Sequence, residues 1–185
     1  MTKKVLSIGI DYSLTCPCMC LMTGRSFDQS SFYFLTSDKK HTGKIISNVT
    51  GDLHEDYLSS EQRFDQIASY FLDKLALHEV NKNIPITIED YSYGSKGKVF
   101  HLAENAGLLK HKLWVNRYTI SLAAPTTIKK FATGSGRAKK EDMYQSFLDS
   151  SNPDINKLIC PKKTLIGNPV SDIVDAYYLA LFGLK

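Results

Sequence analysis

The stretch VLSIGIDYSLTCPCMCL, residues 5–21, contains the start of a β-sheet and two separate groups of candidate metal ligands. Its apolar, β-branched beginning predicts a buried strand over Lys4 to Ile10 that stops at Asp11. Strand-like runs at 18–23 and 31–36 follow, with a glycine turn between them. The N-terminal part of the chain therefore predicts a three-stranded antiparallel meander.

The first candidate group consists of Cys16, Cys18 and Cys20, which alternate along the chain. In a strand, this period of two places all three side chains on one face. Zinc sites combine a C-x₂₋₄-C pair with a second ligand pair, and only Cys160 remains elsewhere. Because a buried free cysteine packs as a small apolar residue, the trio is predicted to fill the core.

After the meander the sequence predicts two β-α-β crossovers. A polar loop over 39–60, with an optional short strand at 44–49, leads into helices and strands that alternate. The predicted elements are helices at 60–75 and 99–114, strands at 84–88 and 117–122, short helices near 126–131 and 139–148, and a last helix capped by Ser171 and running through Leu184. This order predicts one α/β domain over residues 1–185, with a mixed five-stranded sheet and helices on both faces.

The second candidate group consists of carboxylates. Asp11 and Glu89 each end a predicted strand, and parallel strands end at the sheet edge where α/β proteins bind ligands. Asp172 and Asp175 are three residues apart and lie on one face of the last helix. Each acid alone fits a turn, a cap or a helix dipole. Four together repel one another unless cations lie among them, and two divalent cations about 4 Å apart favour phosphoryl displacement.

Positive charge is concentrated in one segment. Residues 96–140 contain ten Lys or Arg and one acid, Glu104, whereas the rest of the chain has 13 basic and 18 acidic residues. This asymmetry favours a polyanionic partner, although a solvated basic surface explains the charge equally well. No apolar run reaches the roughly 20 residues of a membrane span, and the N-terminal MTKK lacks a secretory signal. A cytoplasmic location without membrane contact is expected.

Four segments, IGIDYSLT, TIEDYSYG, KKFATGSGRAKKEDM and NPVSDIVDAYYLA, resemble the signature segments of the RuvC family of Holliday junction resolvases in order and spacing. The resemblance implies the RNase H-like fold and a homodimer that cuts four-way DNA junctions without a nucleotide cofactor. It also implies that the family's four metal-binding, catalytic carboxylates correspond to Asp11, Glu89, Asp172 and Asp175. These residues would hold two Mg²⁺ ions, which Mn²⁺ could replace.

The resemblance further implies a set of DNA contacts. The candidates are Lys129, Lys130, Arg137, Lys139, Lys140, Tyr91 and Tyr93. Lys129 and Lys140 align best with lysines that the family places near the scissile strand, and the other basic residues are neighbours that could share phosphate contacts. Tyr91 and Tyr93 lie on either side of the position at which the family carries an aromatic residue that stacks on a base. In this chain that position is Ser92. Tyr12-Ser13 also replaces the Pro-Gly that the family often has after its first aspartate.

Other functions fit parts of the same sequence. An RNase H-like nuclease acting on flaps, RNA–DNA hybrids or broader branched DNA would use the same carboxylates. A phosphotransferase of the actin or sugar-kinase type also starts with a strand ending in Gly-Ile-Asp, but it needs two such domains. A non-catalytic junction-binding protein would lack one of the carboxylates. The Val99–Trp114 helix, with its small residues, is a candidate dimer interface or an ordinary core helix.

Overall fold

The computed structural model describes residues 4–90 and 99–185, in which seven strands form one mixed sheet with helices on both faces. The strands are Ser7–Asp11 (β1), Cys18–Met22 (β2), Ser30–Thr36 (β3), Gly43–Ile46 (β4), Val49–Leu53 (β5), Ile86–Glu89 (β6) and Ile120–Ala123 (β7). The helices are Ser60–Leu77 (α1), Val99–Val115 (α2), Pro125–Thr133 (α3), Lys140–Asp149 (α4), Ile155–Ile159 (α5) and Val170–Gly183 (α6). None of these helices is long and apolar enough to cross a membrane.

The strand order across the sheet is β4-β5-β3-β2-β1-β6-β7. The first three strands in the chain are antiparallel neighbours, β6 and β7 continue in parallel from β1, and β5 lies parallel to β3. Five strands, β1, β3, β5, β6 and β7, therefore run in the same direction. Their C-terminal ends meet at one side of the sheet, which we call the carboxyl edge.

The prediction of five strands was wrong in number. All five predicted strands are present, but β4 and β5 form an additional hairpin inside the predicted 39–60 loop, shifted from the optional strand at 44–49. The only fully buried residues of this hairpin are Val49 and Gly51. Gly51 lies against the Phe34 ring and the His41 carbonyl, where a Cβ would not fit. A glycine needed for close packing is easily mistaken for a turn residue in the sequence.

Each face of the sheet has its own core. One face packs against α1 and α2 through residues that include Ile8, Ile10 and Phe71. The opposite face packs against α3, α4, α5 and α6 through residues that include Phe34 and Phe147. Side chains of β2 and β3 alternate between the two cores, which explains the continuous apolar runs of these strands in the sequence.

The cysteine trio lies in the core beneath α6. Cys18 and Cys20 alternate along β2 with Met19 and Leu21, which enter the other core. Cys16 precedes the strand, and all three thiols are free and buried. The prediction that these cysteines fill the core is confirmed.

Helix α6 lies directly on strand β1. A Cβ on Gly9 would overlap the Ala176 carbonyl oxygen and the Ala180 backbone nitrogen. Both alanines are fully buried, and their small side chains let the backbones of the helix and the strand approach closely. This contact brings the N-terminal turns of α6 to the carboxyl edge of the sheet.

Candidate active site

The four predicted carboxylates come together at the carboxyl edge. Asp11 is the last residue of β1 and Glu89 the last residue of β6, and these two strands pair with Ile10 opposite Ile88. Asp172 and Asp175 lie one turn apart near the start of α6, above β1. Burial, followed by repulsion from the other three carboxylates, raises the pKa of Asp11 well above its usual range.

The other three carboxyls respond in the same direction. Glu89 lies at the exposed rim, but desolvation of its carboxyl and then repulsion from Asp175 raise its pKa to about 7. Burial is also the main cause that raises the pKa values of Asp172 and Asp175. Since every pKa rises, the cluster resists carrying four negative charges at neutral pH, and added positive charge would relieve that resistance.

Two lysines supply part of that positive charge. Lys140, the first residue of α4, counteracts the raised pKa of both Asp172 and Asp175. Lys129, on α3, does the same for Asp175 and for Glu89. The two lysines that match the family's pattern best therefore face the carboxylates.

The remaining predicted DNA-binding residues are placed differently. Lys130, Arg137 and Lys139 are exposed. Lys130 lines a shallow depression together with Phe131 and Lys185, whereas Lys129 lies near the carboxylates. The two neighbouring lysines of α3 therefore have different environments. Tyr91 and Tyr93 lie outside the described residues.

The donor chemistry of the cluster suits a hard divalent cation, because Mg²⁺ prefers oxygen ligands. The Oδ2 atom of Asp172 is buried and has no hydrogen-bond partner, and the residue is only 6% exposed. Across residues 4–90 and 99–185, however, no three His, Cys, Asp or Glu side chains are placed so that they could hold an ion directly. Binding would therefore require carboxylate rotations toward a common point.

Sequence reasoning missed two residues of this site. Ser171 was predicted to cap the last helix, but α6 begins at Val170, and the Ser171 hydroxyl bonds to the side chains of Lys140 and Asn168. Cys16 was predicted only to fill space, yet its thiol lies close enough to Asp172 to lower the pKa of that carboxyl, partly offsetting the effect of burial. No local pattern signals either contact, since the partners are far apart in the chain.

Comparison with known proteins gives a match in fold. No protein-family model and no curated protein sequence matches this chain. The structure of Thermus thermophilus RuvC aligns with a TM-score of 0.56 at 12% identity, over 94% of this chain and 91% of that one. The T. thermophilus RuvC complex with a Holliday junction substrate gives 0.51 at 12% identity, over 95% and 91%. The yeast mitochondrial Holliday junction resolvase Ydc2 gives 0.51 at 14% identity, over 98% and 78%.

These alignments define the fold class as α/β and RNase H-like, as the motifs predicted. Within that class, the chain has the fold of the RuvC-type resolvases over nearly its whole length. The order of the four sequence segments and the structural alignments over 94–98% of the chain thus lead to the same fold.

Proposed function

We propose that this protein is a metal-dependent endonuclease that resolves four-way DNA junctions. The observation that carries the proposal is the cluster of four carboxylates from β1, β6 and α6 at one sheet edge, faced by two lysines. Its fold is similar to that of RuvC, which has been seen with a Holliday junction substrate. The basic 96–140 segment provides charge that suits a nucleic acid.

In this proposal Asp11, Glu89, Asp172 and Asp175 hold two Mg²⁺ or Mn²⁺ ions. When bound, such ions activate water and stabilise charge on a scissile phosphate. The carboxylates serve as ligands and not as nucleophiles. Lys129 and Lys140 offset negative charge at the phosphate. Hydrolysis leaves 5′-phosphate and 3′-hydroxyl ends.

A four-way junction has approximate two-fold symmetry, so a homodimer would present two active sites to opposing strands. Helix α2 is the candidate interface. It packs against α1 through Leu109 and Leu113 but leaves Phe100 and Trp114 largely exposed. The helix therefore combines a core face with apolar surface that a second copy could cover.

The test compares a synthetic four-way junction, a flap and an RNA–DNA hybrid, each with and without Mg²⁺. We expect cleavage of the junction only with the cation, in symmetrically placed strands. Asp11→Asn should reduce cleavage by roughly three orders of magnitude while junction binding in a gel-shift assay stays close to that of the wild type. Preferred cleavage of the flap or hybrid would instead indicate an RNase H-like nuclease of another specificity, and lost binding with normal cleavage would refute the ligand assignment.

A further inference from the structure

We propose that Ser171 is a positioning residue that holds the Lys140 ammonium group beside the carboxylate cluster, an inference that rests on the proposed nuclease function. The Lys140 Nζ atom lies 3.1 Å from Ser171 Oγ. Ser171 Oγ in turn lies 3.2 Å from Asn168 Oδ1. These contacts join the start of α4 to the start of α6, where Asp172 is the next residue.

The direction of both hydrogen bonds follows from the groups involved. An ammonium group can only donate, so the serine oxygen must accept from Lys140. The single hydroxyl proton is then free to be donated to the amide oxygen of Asn168. A serine in this arrangement satisfies both neighbours at once, which an alanine cannot do.

Lys140 needs such an anchor for two reasons. Its long side chain has many rotamers, and the residue is exposed. It is also the first residue of α4, where the helix dipole is positive and a cation is disfavoured, next to another lysine at position 139. Ser171 is only 4% exposed and belongs to the same helix as Asp172 and Asp175, so it fixes the ammonium relative to both acids.

The functional test uses single-turnover cleavage of a four-way junction. Ser171→Ala should slow cleavage by roughly tenfold, as expected for loss of one hydrogen bond to a charged group. Ser171→Thr, which retains a hydroxyl, should recover most of the rate. In a Lys140→Gln background, Ser171→Ala should cause no further loss. An equal loss in both backgrounds would assign Ser171 a general structural role and overturn the proposal.

A second readout does not depend on cleavage. In protein labelled with ¹⁵N-lysine, the hydrogen-bonded Lys140 ammonium should give an NMR signal protected from rapid proton exchange. We expect that signal to disappear in Ser171→Ala and to persist in Ser171→Thr, with cooperative thermal unfolding showing that both variants are folded. An unchanged signal in Ser171→Ala would overturn the contact. If the wild-type protein cuts no junction, the proposed function is refuted. Loss of the Lys140 signal in Ser171→Ala would still support the positioning contact in that case.

Discussion

The cysteine trio and Asp11 of the carboxylate cluster are neighbours around the β1–β2 turn, and burial has opposite consequences for the two kinds of group. Burial raises the pKa values of Cys18 and Cys20, which keeps thiols neutral that are already neutral at physiological pH. Burial also raises the pKa of Asp11, but there it opposes the charge that a carboxyl normally carries. The thiols gain stability from burial, whereas the carboxylates are held in an unfavourable arrangement that a cation would relieve.

Proximity along the chain therefore says little about function. Cys18 and Asp11 are paired residues of neighbouring strands, yet Cys18 points into a core and Asp11 lies at the edge with three other acids. Buried ionisable groups that repel one another mark a functional site more clearly than buried groups without charge.

The largest effect is expected from neutralising one carboxylate of the cluster, with the next carboxylate along the chain as its control. Glu89→Gln should slow Mg²⁺-dependent junction cleavage by about a hundredfold or more, because it would remove a proposed cation ligand. Asp90→Asn, one residue later, should leave the rate close to that of the wild type. Single-turnover assays on a labelled junction measure both. Equal losses in the two variants would contradict the proposed ligand set.

The effect of pH on stability should distinguish the two groups next. The pKa values of Glu89, Asp172 and Asp175 are higher in the folded protein than in the unfolded chain, so protonation of these carboxyls stabilises the fold. This stabilisation is complete near pH 4 and is lost as the pH rises toward about 7. We expect a decrease of about 1–2 kcal/mol in the free energy of unfolding, allowing for solvent screening at Glu89, and recovery with Mg²⁺ above pH 7. Urea unfolding at several pH values measures this.

The matched control for that experiment is Asp175→Asn, which removes one of the repelling acids and should flatten the curve. Subtracting its curve also cancels the contributions of His54 and His78. Their lowered pKa values change stability in the opposite sense over the same range. A wild-type curve parallel to that of the variant would mean that the acids do not destabilise the fold.

The smallest effect is expected at the cysteines. Cys20→Ala removes a fully buried sulfur and should lower the free energy of unfolding by about 1 kcal/mol. Junction cleavage and its metal dependence should not change. A loss of cleavage without a loss of stability would assign Cys20 a role in the site as well.

Much of the fold could be predicted because its signals are local. Apolar periodicity located β1, β2, β3, β6 and β7, and helical spacing located α1 and α2. The acids were also predictable, since strand ends at Asp11 and Glu89 and a three-residue spacing in α6 are visible in the sequence. The β4–β5 hairpin was not, because its packing depends on Gly51 approaching Phe34.

The contacts between distant elements could not be predicted. The bond between Lys140 and Ser171 depends on where α4 packs against α6, and no periodicity encodes that placement. The contact of Cys16 with Asp172 likewise joins residues at opposite ends of the chain. Lys129 and Lys130 are equivalent in charge, and only the helix geometry places the former toward the acids.

The backbone contact at Gly9 has a consequence for how such a protein can diverge. Because α6 rests on the main chain of β1 at Gly9, the closest approach of these two elements is set by backbone atoms and depends less on which apolar side chains fill the cores. Most interior positions could then be exchanged over evolutionary time without moving the acids, provided that position 9 stays a glycine. A shared architecture at 12–14% identity is what such freedom would produce.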